Sequence, residues 1–118
     1  MEIKKVCIIG SRYFVNKDDG FKKIMPYYHK FKFSTIISGG ARGADYIAKC
    51  FAKTYGFKYI EYPADWNKYG KRAGYIRNVD IVKNSDFIIA LWDGESRGTQ
   101  LSINIANELG KKVYIERV

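Results

Sequence analysis

The 118-residue sequence is poor in the residues that staple or punctuate small proteins: two cysteines, two prolines and one histidine. Cys7 and Cys50 lie far apart with no CxxC pair, so the disulfide framework of a small secreted domain is excluded. They are expected to be reduced thiols in a cytoplasmic protein. His29 has no second histidine and no thiol pair near it, which leaves no zinc ligand set, and no metal is expected. No apolar run approaches the roughly 20 residues of a membrane span. The opening Met1-Glu2-Ile3-Lys4-Lys5 carries no apolar signal segment, and no membrane partner is expected. Neither GxGxxG nor GxxxxGK followed by Ser or Thr occurs, so neither a dinucleotide fingerprint nor a P-loop supports a cofactor. Repeats, linkers and low-complexity tracts are absent too, and residues 1–118 read as a single domain.

Charge of one sign, by contrast, is abundant. Lys and Arg number 21 against 12 Asp and Glu, a formal net charge of +9. The first half carries most of the excess, with twelve basic and four acidic residues up to position 60. Such a surface favours anionic partners: phosphates, nucleotides or nucleic acid. The composition, 47% hydrophobic and 16% aromatic, is apolar enough to build a packed core.

Apolar runs alternate with helical patterns along the whole chain. Lys5–Gly10, Thr35–Ser38, Phe57–Tyr62, Asp86–Trp92 and Lys112–Ile115 read as strands. Between them, residues 18–32 read as a helix that Pro26 bends or splits. Residues 43–55 carry Ala44, Ile47, Ala48, Phe51, Ala52 and Tyr55 at spacings of three and four, one apolar stripe. Lys71–Lys83 and Thr99–Leu109 complete the helices, and residues 64–70 read as a loop. Continuous apolar strands alternating with amphipathic helices predict an α/β fold, a Rossmann-like three-layer sandwich with a five-stranded parallel sheet. Ligands bind such sheets beyond the carboxyl ends of the strands, where the winding reverses. Tyr27, Tyr28, Phe31 and Phe33 crowd one short basic segment, which reads either as a homo-oligomer patch or as core packing.

Three loops that follow strands are rich in glycine and polar residues. They are Gly10-Ser11-Arg12, then Ser38-Gly39-Gly40-Ala41-Arg42-Gly43-Ala44-Asp45, and Asp93-Gly94-Glu95-Ser96-Arg97-Gly98-Thr99. Glycine lets backbone N–H groups approach an anion, and each loop leads toward a partially positive helix N-terminus. Arg12, Arg42 and Arg97 add paired donors, and Ser11, Ser38, Ser96 and Thr99 add hydroxyls. Together they predict a shared phosphate cradle. A fourth constellation offers a nucleoside clamp, with Trp66 stacking on a base and Asp65 accepting from a hydroxyl or amine. Arg77 and Asn78, on the following helix, are expected to face the same cleft.

Four of these motifs in order also carry a resemblance that spans nearly the whole chain. Ser38–Asp45, Pro63-Ala64-Asp65-Trp66, Ala73–Asn78 and Trp92-Asp93-Gly94-x-Ser96-Arg97-Gly98-Thr99 resemble the YspA-like, YpsA-related branch of the SLOG superfamily. The resemblance implies a compact domain that binds a nucleotide or a nucleotide-derived small molecule. Its wider relatives include LOG phosphoribohydrolases, DprA-type proteins that bind single-stranded DNA, and anti-phage sensor domains for ADP-ribose-like signals. LOG enzymes carry PGGxGTxxE, whose glutamate assists glycosidic cleavage. Aligned on Gly98-Thr99, this chain has Ser102 at the glutamate position and lacks the Pro-Gly-Gly. Serine supplies no carboxylate to stabilise charge developing on ribose or to activate water.

The leading expectation is therefore a ligand sensor or sequestering protein for a nucleoside phosphate or ADP-ribose-like molecule, with phage–host nucleotide signalling as one setting. An alternative is a nucleotide N-glycosidase or phosphoribohydrolase that uses Asp65, Arg77 or Glu95 in place of the missing glutamate. A further alternative is a single-stranded nucleic-acid-binding module, against which the basic residues show no aromatic-interleaved run.

Overall fold

The computed structural model describes residues 4–118. Five strands and five α-helices alternate along it. In chain order they are β1 (Lys5–Gly10), α1 (Lys17–Phe31), β2 (Thr35–Ser38), α2 (Ala44–Tyr55), β3 (Lys58–Glu61), α3 (Trp66–Tyr69), α4 (Ala73–Lys83), β4 (Phe87–Trp92), α5 (Arg97–Glu108) and β5 (Lys112–Arg117). All pairings are parallel and the sheet order is β3-β2-β1-β4-β5. The chain winds outward from β1 through β2 to β3, then crosses back to β4 and winds the other way. The reversal falls between β1 and β4, whose ladder pairs Val6–Gly10 with Phe87–Leu91. This is the Rossmann-like α/β fold that the alternating pattern predicts.

Strand alternation divides the core in two. Val6, Ile8, Ile36, Phe87, Ile89 and Leu91 project to the face covered by α1 and α2. Cys7, Ile9, Ile37, Ile88 and Ala90 project to the face covered by α4 and α5. One apolar residue per step on each side explains why the central strands read as unbroken apolar runs. The α2 stripe packs as its spacing requires, except that Tyr55 at the helix end is half exposed.

Two local expectations are corrected, and ring contacts bear on a third. Pro26 neither splits nor ends α1, which is assigned as one helix through Phe31. Both Pro26 and Lys22, whose carbonyl loses its helical donor, are exposed, so water can satisfy that group. Residues 64–70 are not simply a loop: Asp65 caps α3 by accepting from the Lys68 N–H at 3.0 Å, and a 3-10 turn, Gly70–Arg72, leads into α4. The aromatic cluster near Pro26 belongs to the core. Phe33 is buried, Tyr28 packs edge-on to Phe33 and Phe57, and Phe31 packs on Phe87 and Tyr114. The ring contacts inside the fold favour the core-packing reading of these residues.

The two inner strands approach closely where the winding reverses. A Cβ on Gly10, the last residue of β1, would stand 2.1 Å from the Leu91 carbonyl oxygen and 2.7 Å from the Ala44 Cβ. Any larger residue would push β1, β4 and the start of α2 apart. Among the described residues, no helix is long and apolar enough to cross a membrane.

Candidate functional site

A cleft of about 160 Å³ opens at the carboxyl ends of β1 and β4, at the reversal point. The end of β1 supplies Ile9 and Gly10, and the loop after it supplies Arg12. The β2–α2 segment supplies Ala41 and Asp45, α4 supplies Arg77 and Asn78, and α5 with its cap supplies Ser96, Gly98, Thr99 and Ser102.

Two helices point into the cleft. In the loop leading into α2 and at its first residue, the protein's own groups occupy three backbone donors. The Ala41 N–H donates to Asp45 Oδ2 at 3.1 Å, the Gly40 N–H to Ser38 Oγ at 3.3 Å, and the Ala44 N–H to the Ser11 carbonyl at 3.0 Å. Gly43 makes this packing possible at φ +76°, where a Cβ would stand 2.4 Å from the carbonyl oxygens of Ser11 and Arg12. The Gly40–Ala41 part of the glycine loop is thus closed by the protein's own groups, one of them the Asp45 carboxylate from the first turn of α2.

Like α2, α5 begins without a side-chain cap. Ser96 forms no side-chain cap, its Oγ lying 3.2 Å from Thr99 Oγ1, and the first helical bond runs from Gln100 N–H to the Ser96 carbonyl. The N–H groups of Arg97, Gly98 and Thr99 carry the positive end of a 12-residue helix. Asp93 arranges the turn before them: its Oδ1 accepts from the N–H groups of Glu95 and Ser96, both at 2.8 Å. Those bonds hold the Asp93 carboxyl below the usual carboxylate range. Trp92 Nε1 donates to the Ser96 carbonyl and fixes the same turn from the strand side.

Facing this donor end is Asp45, 8% exposed. Burial pushes its carboxyl up from 3.8 to about 6, against the opposing pull of the Ala41 N–H, Arg77, the Gly39 N–H and Arg12. Arg77 reaches over from α4, donating from Nη1 to the Gly39 carbonyl at 2.8 Å and to the Tyr62 carbonyl at 3.4 Å. Its Nε donates to Asn78 Oδ1 at 2.8 Å. No ion pair within 4.0 Å joins Arg77 to Asp45; among the described residues the one such pair is Lys23 with Asp19. The cleft therefore brings together the N–H donors that open α5, the guanidinium groups of Arg12 and Arg77, and one buried carboxylate on which both guanidiniums act.

The sequence pattern of the YspA, cpYpsA-related SLOG family (YAcAr) matches residues 4–69, more than half of the chain. The chain belongs to this SLOG family. Gene 61 protein of Mycobacterium phage D29 is 31% identical over 115 residues, an alignment that covers 92% of each chain. Solved structures share the fold at lower identity. DNA processing protein A from Streptococcus pneumoniae superposes with a TM-score of 0.76 at 20% identity, over 96% of this chain and 50% of that one. Its Helicobacter pylori counterpart, described for its single-stranded DNA binding mode, gives 0.74 at 23%, over 98% and 66%. The structural-genomics structure TM1055 gives 0.70 at 19%, over 94% and 72%.

Within this SLOG domain, nine of the residues singled out by sequence meet in the cleft: Gly10, Arg12, Ala41, Asp45, Arg77, Asn78, Ser96, Gly98 and Thr99. Others serve its walls. The Ser11 hydroxyl accepts from the Asp93 N–H, Ser38 holds Gly40, and Gly39 lies against the Arg77 guanidinium. Gly40, at φ +77°, turns toward Glu61. Gly94 turns the β4–α5 loop beside Arg117. The remainder lie outside the cleft lining. Arg42 sits over the exposed Tyr13 ring at 5.4 Å, Arg97 and Glu95 line a neighbouring depression, and Asp65 is spent on capping α3. Trp66 is 60% exposed and lies over Gly74. The carboxylate in the cleft is thus Asp45, not Asp65 or Glu95. Ile9 and Ser102 are lining residues that the binding-site reading did not include. Ser102 falls three residues after Thr99 on α5, a spacing that already placed it on the same helix face.

Proposed function

We propose that this SLOG domain binds a nucleotide-derived small molecule, a nucleoside phosphate or an ADP-ribose-like compound, and acts as a sensor or sequestering protein for it. The observation that carries this reading is the uncapped N-terminus of α5 opening into a cleft that Arg12 also lines. Free helical N–H groups beside a guanidinium form an anion site of the kind that takes a phosphate. The phosphate belongs at α5 rather than at Gly40 and Ala41, whose N–H groups are internally bonded. The net charge of +9 favours encounter with anions. The likeness to a phage protein along most of both chains supports a setting in phage–host nucleotide signalling.

Binding without turnover is the expected output, because Ser102, which lines the cleft, stands at the sequence position of the LOG-type glutamate when the two are aligned on Gly98-Thr99. Thermal-shift screening of a nucleotide panel, followed by chromatography of the recovered ligand, tests both parts. Stabilisation by at least one nucleoside phosphate, returned intact after long incubation with stoichiometric protein, is expected. Multiple-turnover release of free base would replace the binder by a nucleotide N-glycosidase. Asp45 would then be the first carboxylate to substitute, since it alone among the acids lines the cleft.

A further inference from the structure

The cleft holds one feature that a phosphate site has no use for. Asp45 is a buried carboxylate in its wall, and a second anion placed against it would meet direct Coulomb repulsion. Its backbone contacts, to the N–H groups of Ala41 and Gly39, do not exhaust its acceptor capacity, since an ionised carboxylate offers about four lone-pair sites. A ligand group that meets it must therefore donate hydrogen bonds. Arg77 and Arg12 both bear electrostatically on Asp45, so a cationic amine arriving there would face two like charges. A neutral donor faces none. Asn78 lines the same cleft with its Oδ1 held by Arg77 Nε, which directs the remaining amide donors to a ligand's oxygen atoms.

We infer that Asp45 determines sugar specificity, accepting hydrogen bonds from the vicinal hydroxyls of a ribose whose phosphate sits at the N-terminus of α5. The inference rests on the reading of the cleft as a nucleoside phosphate site and names the class within it: ribosyl, not deoxyribosyl, phosphates. A buried acceptor that loses its hydroxyl partner is left desolvated and unpaired, which makes rejection of the deoxy ligand steeper than the loss of one contact in water.

Calorimetric titration of the intact protein with AMP and with 2′,3′-dideoxy-AMP tests this. Wild-type protein is expected to prefer AMP by at least 10-fold. In Asp45→Asn the preference should shrink below threefold. The wild-type comparison stands alone should the variant fail to fold. Equal wild-type affinity for the two nucleotides, or an undiminished preference in a folded Asp45→Asn, overturns the role of Asp45 and leaves the phosphate site intact. Failure of either nucleotide to bind at millimolar concentration overturns the nucleoside phosphate reading itself, and the inference with it.

Discussion

Arg77 and Gly39 lie 38 residues apart in sequence, yet Arg77 Nη1 donates to the Gly39 carbonyl at 2.8 Å, and a Cβ on Gly39 would stand 2.9 Å from that nitrogen. The guanidinium occupies the space that the missing side chain leaves. With its bonds to Tyr62 and Asn78, it ties α4 to the ends of β2 and β3.

Arg77→Ala should therefore cost stability as well as function. Two carbonyls lose a charge-assisted donor, for an expected loss of about 2–3 kcal/mol in urea unfolding. Arg77→Lys should recover only part of this, because an ammonium lacks the planar fork that serves three acceptors at once. Loss of the guanidinium also removes a charge that lowers the Asp45 pKa, so the carboxyl should titrate above its present value of about 6, as read by carbon NMR.

Stability should depend on pH through Asp45. Burial raises its carboxyl from 3.8 to about 6, so the native state binds the proton more tightly than the unfolded chain. The group's stabilising contribution is then complete below about pH 4 and is lost as pH rises through 6. The charged groups bearing on it are Arg77 and Arg12. The Cys7 thiol and the Tyr59 hydroxyl, which also interact with Asp45, are pushed upward by burial, Tyr59 to about 12, and stay neutral in this window. Asp45→Asn should flatten the profile between pH 4 and 6 and gain up to about 3 kcal/mol at pH 7.5. A steeper profile in the variant would contradict this assignment.

Glycine substitutions should divide by position. Gly43→Ala combines a positive φ with a collision against two carbonyl oxygens and should cost more than about 2 kcal/mol. Gly98→Ala, in the first turn of α5 with open space at its Cβ, should be neutral or gain up to about 1 kcal/mol. Chemical denaturation of the two variants side by side checks the contrast.

The arginines of the glycine-rich loops should also separate. Arg12→Ala removes a guanidinium from the cleft and should weaken nucleoside monophosphate binding by about 1.5–3 kcal/mol. Arg97→Ala, outside the lining, should change affinity by less than about threefold, in keeping with the weak contribution of exposed charges. Titration calorimetry with one nucleotide distinguishes the two.

Much of the architecture was legible because its signals are local. Apolar runs closed by Gly10, by Gly39-Gly40 or by Pro63 mark strand ends, and the Ala44–Ala52 stripe marks a helix face. The site was legible only to the level of loops. Sequence places Ser38–Asp45 on the binding edge but cannot show that Asp45 turns back to occupy its own helix N-terminus, because that depends on the carbonyl of Ser11 and the reach of Arg77. The place of Asp65 is hard to read from sequence for a related reason. Its capping bond to Lys68 is local and visible as an Asp three residues before a potential helix turn, but the adjacent Trp66 suggested a clamp instead.

The ladder between β1 and β4 divides the cleft by order of synthesis. Gly10, Arg12, Ala41 and Asp45 are in place within the first 45 residues, whereas Arg77, Asn78, Ser96, Gly98 and Thr99 come only after residue 76. A nascent chain that ends after β3 has half a wall and no pocket; the cleft is complete only once α5 has folded back on the sheet. A ligand gripped from both sides would act as a rivet across this seam, adding its binding free energy to the cohesion of two halves far apart in sequence. Amide exchange along Val6–Gly10 and Phe87–Leu91 would then slow together on binding. The family pattern, which ends at residue 69, spans only the first of those halves, and the uncapped helix opposite is written in a stretch of chain that the pattern does not reach.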